Sequence, residues 1–86
     1  MSKKLYVVNL NEDVGKDTLK NLFSDYGTVC DVKICVDEDT GQSKGFGFVE
    51  MDSEPQARAA FVALNGKGCS GKNIKIYETK PFKYFC

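Results

Sequence analysis

Residues Lys44 to Met51 read KGFGFVEM, and the direction in which their two rings point decides the fold. Neighbours along a strand face opposite ways, so either Phe46 and Phe48 are buried or Val49 and Met51 are. The charges break the tie. Lys44 and Glu50 share parity with the rings, and burying that side would carry an ammonium and a carboxylate into the interior. Val49 and Met51 therefore belong to the core, and Gly47 on their side leaves room for a helix to approach the sheet. Phe46 and Phe48 are expected to face outward.

The same logic extends along the chain in both directions. LYVVNL, from Leu5 to Leu10, is a β-branched and aromatic run that reads as a strand, with Leu5 and Val7 on one side and Lys4, Tyr6 and Val8 on the other. Leu19, Leu22, Phe23 and Tyr26 form a helical stripe from Lys16 onward, and Gly27 follows as a stop. From Val29 to Val36, Val32, Ile34 and Val36 alternate with Asp31, Lys33 and Cys35, a half-buried strand that runs into an acidic loop at Asp37, Glu38 and Asp39. That loop reads as solvated turn rather than as a cation site. Beyond KGFGFVEM, Ser53 caps a helix with Pro55 in its first turn and Gln56 three residues after the cap. Ala57, Ala60, Phe61 and Leu64 are its apolar stripe, and Asn65 and Gly66 end it. Asn73 to Tyr77 is the closing strand, with Ile74 and Ile76 opposite Lys75 and Tyr77. The order is βαββαβ. The economical α+β architecture for it is one four-stranded antiparallel sheet with both helices on a single face.

The chain has 86 residues, 42% hydrophobic and 28% charged, which fits one ordinary globular domain. No apolar run approaches the roughly 18 residues of a membrane helix, and Asn9 interrupts the first run too early for a secretion signal. The expected location is the cytoplasm, or the nucleus for a piece of a eukaryotic chain. There is no histidine, which removes the commonest general base and zinc ligand and sets catalytic readings back. Cys30, Cys35, Cys69 and Cys86 form no CxxC pair, so no metal is expected, and the lack of a secretion signal favours free thiols. Twelve basic residues balance twelve acidic ones, but unevenly. Residues 1–66 carry seven basic and eleven acidic side chains, and residues 67–86 carry five lysines against Glu78.

The helix-free face of this sheet should present Tyr6, Phe46, Phe48 and Tyr77, interspersed with Lys4, Lys33, Lys44 and Lys75. Against Asp31 and Glu50 on that face the local charge is four minus two, or +2. Rings grouped on a surface usually mark a binding site, and rings among lysines suit a flat aromatic ligand carrying negative charge. Single-stranded nucleic acid has that chemistry.

LYVVNL and KGFGFVEM, in this order and separated by a helix and a strand, resemble the two ribonucleoprotein motifs of the RNA recognition motif family. The likeness spans residues 3–80. KGFGFVEM agrees with the family octamer at seven of its eight places. Met51 stands where the family favours a ring, at a place of core parity, so it should affect packing rather than binding. The resemblance implies the ferredoxin-like sandwich and single-stranded RNA as partner, bound by a monomer with no cofactor. It implies that Tyr6, Phe46 and Phe48 stack on bases or ribose and that Lys44 pairs with phosphate. Lys4, Lys33, Cys35, Glu50, Asn73, Lys75 and Tyr77 fall at further sheet positions, and the backbone near Lys80 reads base edges in relatives.

Residues 81–86, PFKYFC, form an aromatic tail beyond the domain, with three readings: it covers a hydrophobic edge, it touches nucleic acid, or it lies across the sheet and competes with ligand. Acylphosphatase-like enzymes share the βαββαβ layout but need an arginine after the first strand, and the chain's only arginine is Arg58 on the second helix. The stronger rivals are a protein-binding version of the motif, acting through its helical face or tail, and a binder of single-stranded DNA.

Overall fold

The computed structural model describes residues 2–69 and 71–78. Its elements are β1 (Lys3–Val8), α1 (Lys16–Ser24), β2 (Val29–Val36), β3 (Ser43–Met51), α2 (Glu54–Leu64), β4 (Gly68–Cys69), β5 (Lys72–Asn73) and β6 (Lys75–Tyr77). Strands β2, β3, β1 and β6, in that spatial order, make the four-stranded antiparallel sheet expected from the sequence. β4 and β5 form a separate small hairpin, so Asn73 lies there and not in the closing strand. Two-residue strands carry no readable alternation, which is why the hairpin escaped the sequence.

Both helices contribute to one core with the inner side of the sheet. Leu5, Val7, Val49, Met51, Ile74 and Ile76 are all buried on that side, as their parity requires. Leu19 and Phe23 of α1 and Ala57, Ala60 and Leu64 of α2 pack against them. β1 starts at Lys3 because Lys3 and Lys4 pair with Met51 and Glu50. It stops at Val8 because Asn9 turns into the left-handed region at φ 60°, where asparagine is among the few tolerated side chains.

At the start of α2, Ser53 Oγ accepts from the Gln56 amide at 3.4 Å, as the capping pattern predicts. The Gln56 side chain does not complete the reciprocal box; its Oε1 accepts from the Thr28 amide at 3.0 Å, tying α2 to the entry of β2.

Two expectations for the central ribbon are corrected. Gly47 does not make room for a helix: a Cβ there would lie 2.0 Å from the Lys33 carbonyl oxygen, so the close neighbour is the backbone of β2. The register between β2 and β3 also shifts between Ile34 and Val36, beside Gly45 at φ 83°. Strict alternation ends at that bulge. Val36, expected inward, is 48% exposed.

The acidic loop is a tied turn. Asp37 Oδ1 accepts from the Asp39 amide at 2.9 Å and the Thr40 amide at 3.2 Å, and the Asp37 amide donates to the Gln42 carbonyl at 2.8 Å. The Asp39 and Thr40 amides, in that order, hold the Asp37 carboxyl below its ordinary pKa. Because the folded value is depressed, this contribution is present above the ordinary aspartate pKa and is lost as pH falls through the lowered one. Amide exchange at Asp39 and Thr40 should therefore quicken, beyond its intrinsic pH trend, only on acidification below that point. In Asp37→Ala the same amides should lack protection at every pH; wild-type protection in the variant contradicts the account.

Candidate nucleic-acid interface

Strand pairing builds the site. Phe48 of β3 stands opposite Lys33 of β2 on one side and Tyr6 of β1 on the other, and Tyr6 stands opposite Tyr77 of β6. Lys33, Phe48, Tyr6 and Tyr77 thus make one continuous row across all four strands. In the adjacent row, Lys4 faces Glu50, which faces Asp31. Val8 pairs with Lys75 on the other side of the aromatic row.

The rings sit where the charge argument put them. Tyr6, Phe46, Phe48 and Tyr77 are half-buried, and none belongs to the helix-side core or packs against it. Tyr6 and Phe48 have centroids 6.4 Å apart with planes inclined at 58°. Rings so inclined cannot both lie parallel to one flat ligand. Lys4 Nζ lies 4.6 Å from the Phe48 centroid and Lys75 Nζ lies 5.2 Å from that of Tyr77. Such cation–π contacts hold ammonium groups beside the rings, where a stacked nucleotide would bring its phosphate.

The remaining expected residues divide. Lys4, Lys33, Lys44 and Lys75 are exposed. Glu50 is half-buried and its carboxylate accepts from the Ser2 hydroxyl. Lys44 stands beyond the bulge, away from the aromatic row, and lines a shallow cavity of about 370 Å³ with Leu10, Asn11, Glu12, Ser43, Gly45 and Lys72. Asn73 is exposed on the β4–β5 hairpin, and its carbonyl accepts from Asn9 Nδ2 at 2.7 Å. Lys80 and the tail at 81–86 lie outside the described residues. Cys35 is 3% exposed and disulfide-bonded, where an accessible free thiol was expected. Cys30 and Cys69 are free.

Two contributors were missed. Asn9 closes the end of β1 against the hairpin, and Lys72 brings a second ammonium to the cavity beside Lys44. The lysine-rich stretch after residue 66 signalled Lys72 by charge, while nothing local signalled the reach of Asn9.

Residues 5–75 match the model of the RNA recognition motif family. A Nostoc sp. (strain PCC 7120) protein, RbpA, named for RNA binding, is 47% identical over 77 residues, covering 90% of this chain and 76% of its own. Among solved structures, the RNA-binding protein PG1 superposes with a TM-score of 0.87 at 37% identity over 92% of this chain and 98% of its own. The Sxl-lethal protein in complex with RNA superposes with a TM-score of 0.85 at 29% identity, over 90% of this chain and 47% of that one.

Proposed function

The chain belongs to the RNA recognition motif family, a family of binding modules rather than enzymes, and from that premise we propose that it binds single-stranded RNA on the helix-free face of its sheet. The row Lys33–Phe48–Tyr6–Tyr77 carries this reading. Tyr6, Phe46 and Phe48 stack on successive bases or ribose, while Lys4, Lys33, Lys44 and Lys75 meet the phosphates. Tyr77 extends the platform to the edge strand.

A base stacked on an aromatic side chain contributes about 1–3 kcal/mol, so three stacks supply roughly 3–9 kcal/mol before ordering costs. With a few phosphate contacts added, dissociation constants near the micromolar range follow. The chain acts as a monomer in post-transcriptional RNA metabolism in the cytoplasm. Among the described residues no helix is long and apolar enough to cross a membrane.

Fluorescence anisotropy with oligo(A), oligo(C), oligo(G) and oligo(U) RNA, and with matched single-stranded DNA, tests this. Single-strand affinity falls with salt at a log–log slope of about −0.7 per phosphate contact, so two or three contacts give about −1.4 to −2.1. Between 50 and 200 mM salt, binding should weaken by about 7- to 18-fold. Absence of binding to every RNA overturns the reading. Equal or tighter binding to DNA reassigns the ligand.

A further inference from the structure

The shallow cavity of about 370 Å³ is walled by three stretches of chain, Leu10 to Glu12 after β1, Ser43 to Gly45 at the start of β3, and Lys72 on β5. Hydrogen bonds fix all three. The Leu10 amide donates to the Gly45 carbonyl at 2.8 Å, the Gly45 amide donates to Ser43 Oγ at 3.1 Å, and Asn9 Nδ2 donates at 2.7 Å to the carbonyl of Asn73, the neighbour of Lys72. Glycine suits position 45, where φ is 83° and a Cβ would meet the Leu10 carbonyl oxygen at 3.1 Å. A ligand entering here finds the backbone of the walls already in place, which lowers the ordering cost of binding.

The charges of the cavity are mixed. Lys44 and Lys72 bring two ammonium groups and Glu12 one carboxylate, all exposed. Among the described residues none of the three is in an ion pair. Asp37 acts on Lys44 from the acidic loop but does not line the cavity. A phosphate satisfies the two lysines. It does not satisfy Glu12, because a carboxylate only accepts hydrogen bonds and repels a phosphate brought alongside. One small unit answers both signs: a phosphate joined to a sugar that carries a hydroxyl donor. Within a nucleic-acid strand that sugar is ribose, whose 2′-hydroxyl DNA lacks.

We propose that the cavity is a ribose-phosphate subsite at the end of the RNA platform, with Lys44 and Lys72 on the phosphate and Glu12 accepting from the 2′-hydroxyl, so that Glu12 makes the domain prefer RNA to single-stranded DNA. The proposal rests on the RNA-binding reading and adds discrimination of the sugar, which stacking on the aromatic row does not supply because every base offers a π-face. The position is suitable. Lys44 is two residues before Phe46 in β3, about 7 Å at roughly 3.3 Å per residue, so a strand stacked on Phe46 continues into the cavity. Its volume is near the lower end of the about 300–1,000 Å³ of small-ligand sites, room for the sugar and phosphate of one nucleotide.

The test measures dissociation constants of the full chain by anisotropy, for the tightest RNA of the panel and for a deoxyribose strand of the same bases, uracil included. Wild type should bind the RNA about tenfold more tightly than the DNA, the lower end for a hydrogen bond to a charged group. In Glu12→Ala the RNA should lose that factor while the DNA, relieved of the carboxylate, binds no more weakly than before, so the ratio falls close to one. Asp13→Ala removes a neighbouring carboxylate that does not line the cavity and should keep the wild-type ratio. Lys72→Ala should weaken RNA and DNA alike, keep their ratio, and reduce the log–log salt slope by about 0.7, the share of one phosphate contact. All of these side chains are exposed, and the variants should show the circular dichroism of wild type. A wild-type ratio near one, the same ratio in Glu12→Ala as in wild type, or an unchanged salt slope in Lys72→Ala overturns the subsite and leaves the aromatic platform standing. Absence of binding to every RNA overturns both.

Discussion

Replacing Phe46 and Phe48 together by alanine should abolish most affinity for single-stranded RNA and leave the domain folded. Two lost stacks correspond to about 2–6 kcal/mol, or roughly 30-fold to more than 10⁴-fold in the dissociation constant. The domain should survive because neither ring belongs to the helix-side core, whereas Val49 and Met51 on the other side of β3 are fully buried. Far-ultraviolet circular dichroism and the melting temperature report folding, and anisotropy reports affinity, so the two effects separate. Phe23→Ala is the informative contrast. That ring is fully buried in the core, and its removal should cost about 3–5 kcal/mol of stability without touching the sheet's helix-free face. Wild-type affinity in the double variant removes Phe46 and Phe48 from the RNA site.

The second large effect is on stability. Gly47→Ala should lower the melting temperature by many degrees, because the new methyl would sit 2.0 Å from the Lys33 carbonyl oxygen and 3.0 Å from the Ile34 Cα. Both obstacles are backbone, so no side-chain rotation relieves them and the β2–β3 pairing itself must move apart. Overpacking of this kind costs typically about 1–3 kcal/mol. For a domain of this size each kcal/mol corresponds to roughly 4–8 °C, so a drop of at least about 10 °C is expected near the upper end of that range. Thermal and urea melts measure it. Gly41→Ala is a useful comparison, since a Cβ there meets nothing within 4 Å and only the φ of 74° opposes it. A Gly47→Ala melting point equal to that of wild type contradicts the close approach of β2.

Most of the fold was legible because its signals are local. The alternation of Leu5, Tyr6 and Val7, and of Ile74, Lys75 and Ile76, marks strands with one buried side. The spacing of Leu19, Leu22, Phe23 and Tyr26 marks a helix with one apolar stripe. Charge settled the one ambiguous case, since Glu50 assigns Phe48 to the side away from the helices. The exceptions occur where geometry is non-local. The reason for Gly47 lies in a carbonyl fourteen residues earlier in the chain, Lys44 is displaced by a bulge that alternation cannot register, and Asn73 was drawn into a hairpin too short to have a period.

The candidate site divides along the same line. That Tyr6, Phe46, Phe48 and Tyr77 lie on one side of their strands was determined by the sequence alone, because sidedness within a strand follows from the two-residue period and the cost of burying charge. That Lys33, Phe48, Tyr6 and Tyr77 form a single row, and that Cys35 is sealed rather than presented, only the tertiary structure decided. Pairing register and the covering of a face depend on contacts between residues distant in the chain, for which no window of neighbouring residues holds the information.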